Sequence, residues 1–253
     1  MERKSSRLII FAVLLAIVIG INMLVSYYTD WLWFLSLDFQ SVFWRIIRAR
    51  VASGIFFGIL TLIVVGTNLW VAGRFTRFAL RLGNSEIPGE TVLRSKSGYV
   101  LVGAAIVFIL GSIGASQWAT WLKFWHPESF GVVDPIFGLD VGFYVFSLPF
   151  YQFVSKFLLG ALIVSGLSVG MIYVTAGGIR LQEQIEFMPR PIAHLSALGG
   201  LFLLDVAWIY RLKIYGLLYS QGRVAFGAGY TDVNVQIWAY WFLVLILLGA
   251  AVV

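Results

Sequence analysis

Asp205 has the most unusual surroundings of any charged residue in this sequence, because it interrupts the apolar segment LFLLDVAW (201–208). An aspartate at the centre of a membrane-spanning helix costs about 2.5–3.5 kcal/mol on translocon scales, so it must face other helices, water or a cation. Two interpretations follow: a proton or ion relay, or a carboxyl that hydrogen-bonds across a helix interface. Lys156 is the candidate partner for an ion pair, and its alternative is to extend its ammonium to the lipid headgroups.

A second group of polar residues lies in the aromatic segment 119–149. Glu128, Asp134 and Asp140 are close in sequence to Gly131 and Gly138. Oxygen ligands beside glycines can hold Ca²⁺, but this spacing does not follow a calcium-binding loop. An Asp-Pro pair and glycines instead favour sharp turns. We therefore expect a rigid structural cap, packed by aromatic side chains, rather than a calcium site.

The two histidines, His126 and His194, fall on opposite sides of the predicted membrane, too far apart to share a metal ion. Metal sites need several converging ligands, so each histidine is expected to hydrogen-bond near the membrane interface. Cysteine is absent, and the sequence contains no nucleotide-binding loop, serine-histidine-acid pattern or zinc-protease helix. We predict no metal site, no cofactor and no catalytic site in this chain, and whether the protein is an enzyme stays open.

The composition identifies the surroundings of these residues. Of 253 residues, 60% are hydrophobic, 17% aromatic and 12% charged, whereas a soluble domain carries about 25% charged residues. A soluble globule of this size could not hide so much apolar surface, which excludes a soluble enzyme, a nucleic-acid-binding domain and a disordered chain. The sequence predicts an all-α, polytopic bundle of membrane helices.

Apolar runs of about 18 residues or more predict six membrane spans. They cover about 8–25, 51–72, 99–118, 150–175, 195–212 and 235–253. The first is expected to be an uncleaved signal anchor. The aromatic segment 26–50 is either an amphipathic helix in the outer interface or an aromatic belt with no helix of its own. The segment 73–98 carries five basic residues, which favours a cytoplasmic N-terminus and places 26–50 and 119–149 outside.

The segment DPIFGLDVGFYVFSLPF (134–150) resembles the most characteristic stretch of the uncharacterised bacterial protein family UPF0182. The segment GAGYTDV (227–233) agrees with it. The resemblance implies a bacterial cytoplasmic-membrane protein with about seven spans followed by a large extracytoplasmic domain. A seventh span and that domain are not in this sequence, so we expect the chain to be the N-terminal membrane part of a longer protein. The family supplies no catalytic residues to transfer.

Two hypotheses of function follow. The first is an anchor or scaffold for an extracytoplasmic domain or partner complex, with the lipid bilayer and membrane or extracytoplasmic proteins as partners and no nucleic acid. The alternative is a transporter or channel that uses Asp205. A transport pathway normally needs polar residues on several helices, and those of the predicted spans are few and scattered: Asn22, Thr67, Asn68, Gln117 and Asp205. An envelope enzyme with its active site outside this chain is a third possibility.

Overall fold

The structure, a computed structural model, is almost entirely helical. It describes residues 2–82, 96–175, 179–181, 185–219 and 227–252, and for 2–13, 15–16, 19, 76–82, 96–101, 179–181 and 185–187 it describes the backbone alone. The helices are α1 (Glu2–Ser36), α2 (Gln40–Thr61), α3 (Thr67–Leu82), α4 (Lys96–Ser116), α5 (Trp118–Trp125), α6 (Leu148–Thr175), α7 (Pro189–Gly216) and α8 (Ile237–Val252).

Short non-α segments interrupt or join these helices. Wider π-helical turns directly precede α3, α6 and α8, at Leu62–Gly66, Phe143–Ser147 and Asp232–Gln236, and a 3₁₀ turn, Leu217–Tyr219, follows α7. The expected all-α class is confirmed. Beside the helices, β1 (Ile179–Leu181) and β2 (Ile185–Phe187) pair as a short antiparallel hairpin.

Within the described residues, four helices are long and apolar enough to cross a membrane. They are Gln40–Phe75, Phe143–Thr175, Pro189–Tyr219 and Asp232–Val252. A fifth is the pair Val102–Ser116 and Trp118–Trp125 if the two form one span, although they are bent by 61°. The predicted span 8–25 falls within α1, but most of its side chains lie outside the described residues. The described part of the chain therefore supports four or five spans, rather than clearly six.

The chain divides into two compact units, Met1–Val51 and Ala52–Val253. In the first, the prediction of a separate interfacial helix in 26–50 is wrong. Helix α1 continues to Ser36 and α2 begins at Gln40, so the aromatic residues of 26–50 belong to the ends of two long helices that only a tight turn separates. Asp38 adopts the left-handed conformation in that turn, with φ 60°, and the Phe39 amide donates to the Phe34 carbonyl at 2.9 Å.

The second unit is organised around α6. Leu148 packs with Leu212 of α7 near one end of α6, and Tyr173 packs with Leu198 of α7 near the other, so α6 and α7 run antiparallel. Between those ends, Phe157 of α6 packs against Phe57 of α2 with ring centroids 4.7 Å apart. These contacts bury aromatic and aliphatic surface between helices, while the opposite helix faces remain apolar and exposed, as expected for helices in lipid.

Candidate functional site

The segment 126–142, hereafter the two-aspartate loop, connects α5 to the π turn before α6. Its chain reverses through Gly131 and Gly138, whose φ angles of +66° and +67° lie in the left-handed region that favours glycine. Val133 and Asp140 form an isolated antiparallel bridge between the two sides of the loop. The glycines and Asp134-Pro135 seen in the sequence therefore do produce the sharp turns expected of them.

Asp134 holds one end of this loop together. Its carboxylate accepts hydrogen bonds from the amides of Ile136 at 2.9 Å, Phe137 at 2.6 Å and Leu139 at 2.9 Å, and from the hydroxyl of Tyr144 at 2.7 Å. The side chain is buried. Burial opposes ionisation, but these four hydrogen bonds outweigh it and lower the pKa of Asp134 below its ordinary value.

Asp140 holds the other end in the same way. Its carboxylate accepts from the Ser129 hydroxyl at 2.7 Å and from the amides of Phe130 at 3.1 Å, Gly131 at 3.0 Å and Gly142 at 2.6 Å. The Ser129 hydrogen bond, followed by those from the backbone, lowers the pKa of Asp140. Each of the two carboxylates thus accepts four hydrogen bonds from backbone amides and hydroxyls of residues 129–144, and these bonds hold the shape of the loop.

The other polar residues predicted in this segment do not join the two aspartates. His126 and Glu128 are exposed. The Nδ1 atom of His126 lies 3.1 Å from the Leu122 carbonyl oxygen, so this histidine caps the end of α5. Ser129 and Tyr144, which no sequence pattern singles out, complete the aspartate networks instead.

Aromatic side chains pack the two-aspartate loop and the π turn that follows it against the end of α7. The rings of Phe137 and Phe143 each lie 5.2 Å from the ring of Tyr215, in edge-to-face geometry. Phe130, Val132 and Val133 of the same loop are each more than half exposed. The loop is therefore fixed by hydrogen bonds and packing, and it presents an apolar rim that consists of these three residues.

Asp205 lies on α7 and meets α6, but not at Lys156. Its carboxyl is hydrogen-bonded by the hydroxyl of Ser155, which is fully enclosed at 2% exposure. Its Oδ2 atom is buried and has no hydrogen-bond partner among the described residues. Lys156 follows Ser155 in sequence but lies on the exposed face of α6.

His194 lies in a polar network that joins three helices. Its Nε2 is 3.0 Å from Oδ1 of Asn68 on α3, and its Nδ1 is 2.8 Å from the hydroxyl of Tyr173 on α6. The Nδ2 of Asn68 donates to the Val64 carbonyl in the preceding π turn at 2.5 Å. Because the Asn68 oxygen only accepts, Nε2 carries the proton and Nδ1 accepts from Tyr173.

The network around His194 was missed in part by sequence reasoning. Asn68 and His194 are both unusual in apolar segments, which is a visible signal, but they are 126 residues apart. Tyr173 is 1% exposed and carries no signal of its own. The arrangement positions helices α3, α6 and α7 against each other, as interhelical hydrogen bonds do in membranes.

Comparison with known proteins identifies a family without an assigned activity. A family model described as "Uncharacterised protein family (UPF0182)" matches residues 7–253. The chain is similar to UPF0182 proteins of Frankia casuarinae (36% identical, covering 96% of this chain and 25% of the relative), Thermobifida fusca (34%, 100% and 25%) and Geotalea uraniireducens (35%, 92% and 27%). The chain thus spans about a quarter of the length of these curated relatives. No solved structure matches it.

Proposed function

This chain belongs to the uncharacterised protein family UPF0182, and we propose that it is a multi-pass membrane anchor that presents the two-aspartate loop as a docking platform to a protein domain outside the membrane. The observation that carries the proposal is the combination of a fixed backbone with an exposed apolar rim. Eight hydrogen bonds to Asp134 and Asp140 hold the loop.

A rigid apolar rim suits protein docking for an energetic reason. A loop that is already ordered loses little conformational entropy on binding, so more of the interaction energy appears as affinity. Phe130, Val132 and Val133 lie on a loop rather than on the flank of a spanning helix. Contiguous apolar residues on such a surface are typical of interaction sites.

The lengths of the relatives favour one occupant. Since the matched region is about a quarter of each relative, roughly three quarters of their polypeptide lies outside it. We infer that an apolar surface of this additional polypeptide covers the rim. The basic segment 73–98 favours a cytoplasmic position by the positive-inside rule, which would put the two-aspartate loop, one span later, on the outer side.

Photo-crosslinking in the complete natural protein tests this proposal. Benzoylphenylalanine replaces Val133 in the rim or, as a matched control, Leu167, which is 72% exposed on α6 within a candidate span. The cells are irradiated and the adducts are identified by mass spectrometry. We expect crosslinks from position 133 to polypeptide outside the 253 residues, and lipid adducts alone from position 167. Lipid adducts alone from position 133 would show that the rim faces the bilayer and would overturn the proposal.

A further inference from the structure

Asp205 occupies the middle of a candidate membrane span. The span Pro189–Tyr219 contains 31 residues, and at 1.5 Å per residue Asp205 is about 24 Å from its start and 21 Å from its end. The hydrocarbon core of a bilayer is only about 30 Å thick. The side chain therefore lies too deep to reach a headgroup region by extending along the helix.

Among the described residues, one polar side chain hydrogen-bonds the carboxyl of Asp205, that of Ser155 on α6. Helix α8 packs antiparallel to α7, since a Cβ at Gly200 would lie 2.9 Å from the Ala251 carbonyl oxygen and the Tyr210 and Tyr240 rings lie 5.7 Å apart. The part of α8 level with Asp205, 243–249, contains only apolar residues and glycine.

The nearby charged and titratable side chains of α6, α7 and α8 are exposed or contact groups other than the Asp205 carboxyl. Lys156 of α6 is exposed. The guanidinium of Arg211 on α7 lies over the rings of Tyr215 and Trp241, at 4.3 and 5.0 Å. The rings of Tyr210 on α7 and Tyr240 on α8 pack against each other in a tilted arrangement. No charged side chain of the described residues acts on the Asp205 carboxyl.

An ionised carboxylate cannot be accommodated well in these surroundings. Burying an unpaired charge in a medium of low dielectric costs several kcal/mol, and such a group takes up a proton instead. One hydroxyl is too few ligands to hold a metal ion in place of the proton. We propose that Asp205 and Ser155 form a proton-binding site at the contact of α6 and α7, in which burial keeps the carboxylic acid neutral at neutral pH and the Ser155 hydroxyl holds it in position by a hydrogen bond.

This site is independent of the proposed docking function. Binding one proton converts the carboxylate to the acid without changing any other bond, and raising the pH releases that proton to water. The ligand is therefore the proton itself. The Asn68–His194–Tyr173 network lies three helical turns from Asp205 along α7, and its hydrogen bonds do not involve Asp205.

Infrared spectroscopy of the full chain in liposomes tests the proposal directly. Labelling with carboxyl-¹³C aspartate separates aspartate bands from those of other carboxyl groups. At neutral pH we expect a C=O stretching band of a protonated aspartic acid, which is lost on strong alkalinisation and absent from Asp205→Asn. Ser155→Ala should shift this band to higher frequency, because the hydrogen bond to the carbonyl is lost. Ser165→Ala is the matched control, since Ser165 is a buried α6 serine that donates instead to the Ala161 carbonyl.

The outcomes distinguish the two parts of the proposal. Absence of the band from the unmodified chain at neutral pH, or its persistence in Asp205→Asn, would show that Asp205 does not hold a proton. If Ser155→Ala leaves the frequency of this band unchanged, Ser155 is not part of the site. Asparagine mimics the neutral acid, so Asp205→Asn should fold, and circular dichroism confirms this before spectra are compared.

Discussion

The hydroxyl of Tyr144 donates a 2.7 Å hydrogen bond to Oδ2 of Asp134, in a buried contact that ties the two-aspartate loop to the helical segment after it. Tyr144 lies in the π turn Phe143–Ser147. This turn directly precedes α6, and the hydrogen bond ties the loop to it. The loop and the first turn of α6 should therefore lose stability together.

Removal of this hydrogen bond gives the first prediction. Tyr144→Phe deletes the donor but keeps the ring, so we expect a loss of about 1.5–3 kcal/mol, the usual range for a hydrogen bond to a charged group. Asp134→Asn should cost more, because each carboxylate oxygen accepts two hydrogen bonds and the amide nitrogen that replaces one of the oxygens can only donate. Thermal unfolding in detergent measures both. Tyr151→Phe, on the exposed face of α6, is the control, and an equal loss there would contradict the assignment.

The two carboxylates make a second prediction, on pH. Their pKa values in the folded protein are lowered from the ordinary 3.8, so their stabilisation is present above that value and is lost as the pH falls through the folded pKa. The melting temperature should be insensitive to these two groups from pH 7 to about pH 5 and should fall below about pH 4. Asp140→Asn should lower it at neutral pH and weaken this acid dependence. An unchanged acid limb in the double variant Asp134→Asn, Asp140→Asn would contradict the mechanism.

A third prediction concerns the close approach of Gly142 to Glu128. A Cβ at position 142 would lie 2.3 Å from the Glu128 carbonyl oxygen and 2.8 Å from a carboxylate oxygen of Asp140. Gly142→Ala should therefore force the loop apart and cost about 1–3 kcal/mol, as overpacking does. Gly170→Ala is the matched change, since nothing lies within 4 Å of its Cβ position. It should be neutral or slightly stabilising in the same thermal unfolding measurement.

Sidedness gives a fourth prediction, for which the absence of cysteine makes the chain well suited. Glu128 in the two-aspartate loop and Arg74 on α3 are both exposed, so a cysteine at either position is available to a maleimide. In intact cells a membrane-impermeant maleimide should label Glu128→Cys and leave Arg74→Cys unlabelled until the cells are opened. The opposite pattern would invert the topology and place the docking platform in the cytoplasm.

Local sequence patterns were sufficient to predict the apolar helices of this protein and the turns of the two-aspartate loop. The apolar runs indicate helices that suit lipid, and Asp134-Pro135 with Gly131 and Gly138 indicates the turns of the two-aspartate loop, because each depends on residues close together in the chain. Asp205 was conspicuous for the same reason, since its burial cost follows from its immediate apolar neighbours.

Contacts between residues on different helices could not be read from the sequence. Ser155 rather than Lys156 contacts Asp205, and Asn68 reaches His194, because the register between packed helices depends on side chains along their whole length. The segment 26–50 shows the same limit. Apolar residues at helical spacing suit an interfacial helix and the ends of two long helices equally well, and the tight turn at Asp38 produces the second arrangement. The spacing of apolar residues describes one helix at a time, whereas the residues that a side chain contacts on another helix depend on how the two helices pack.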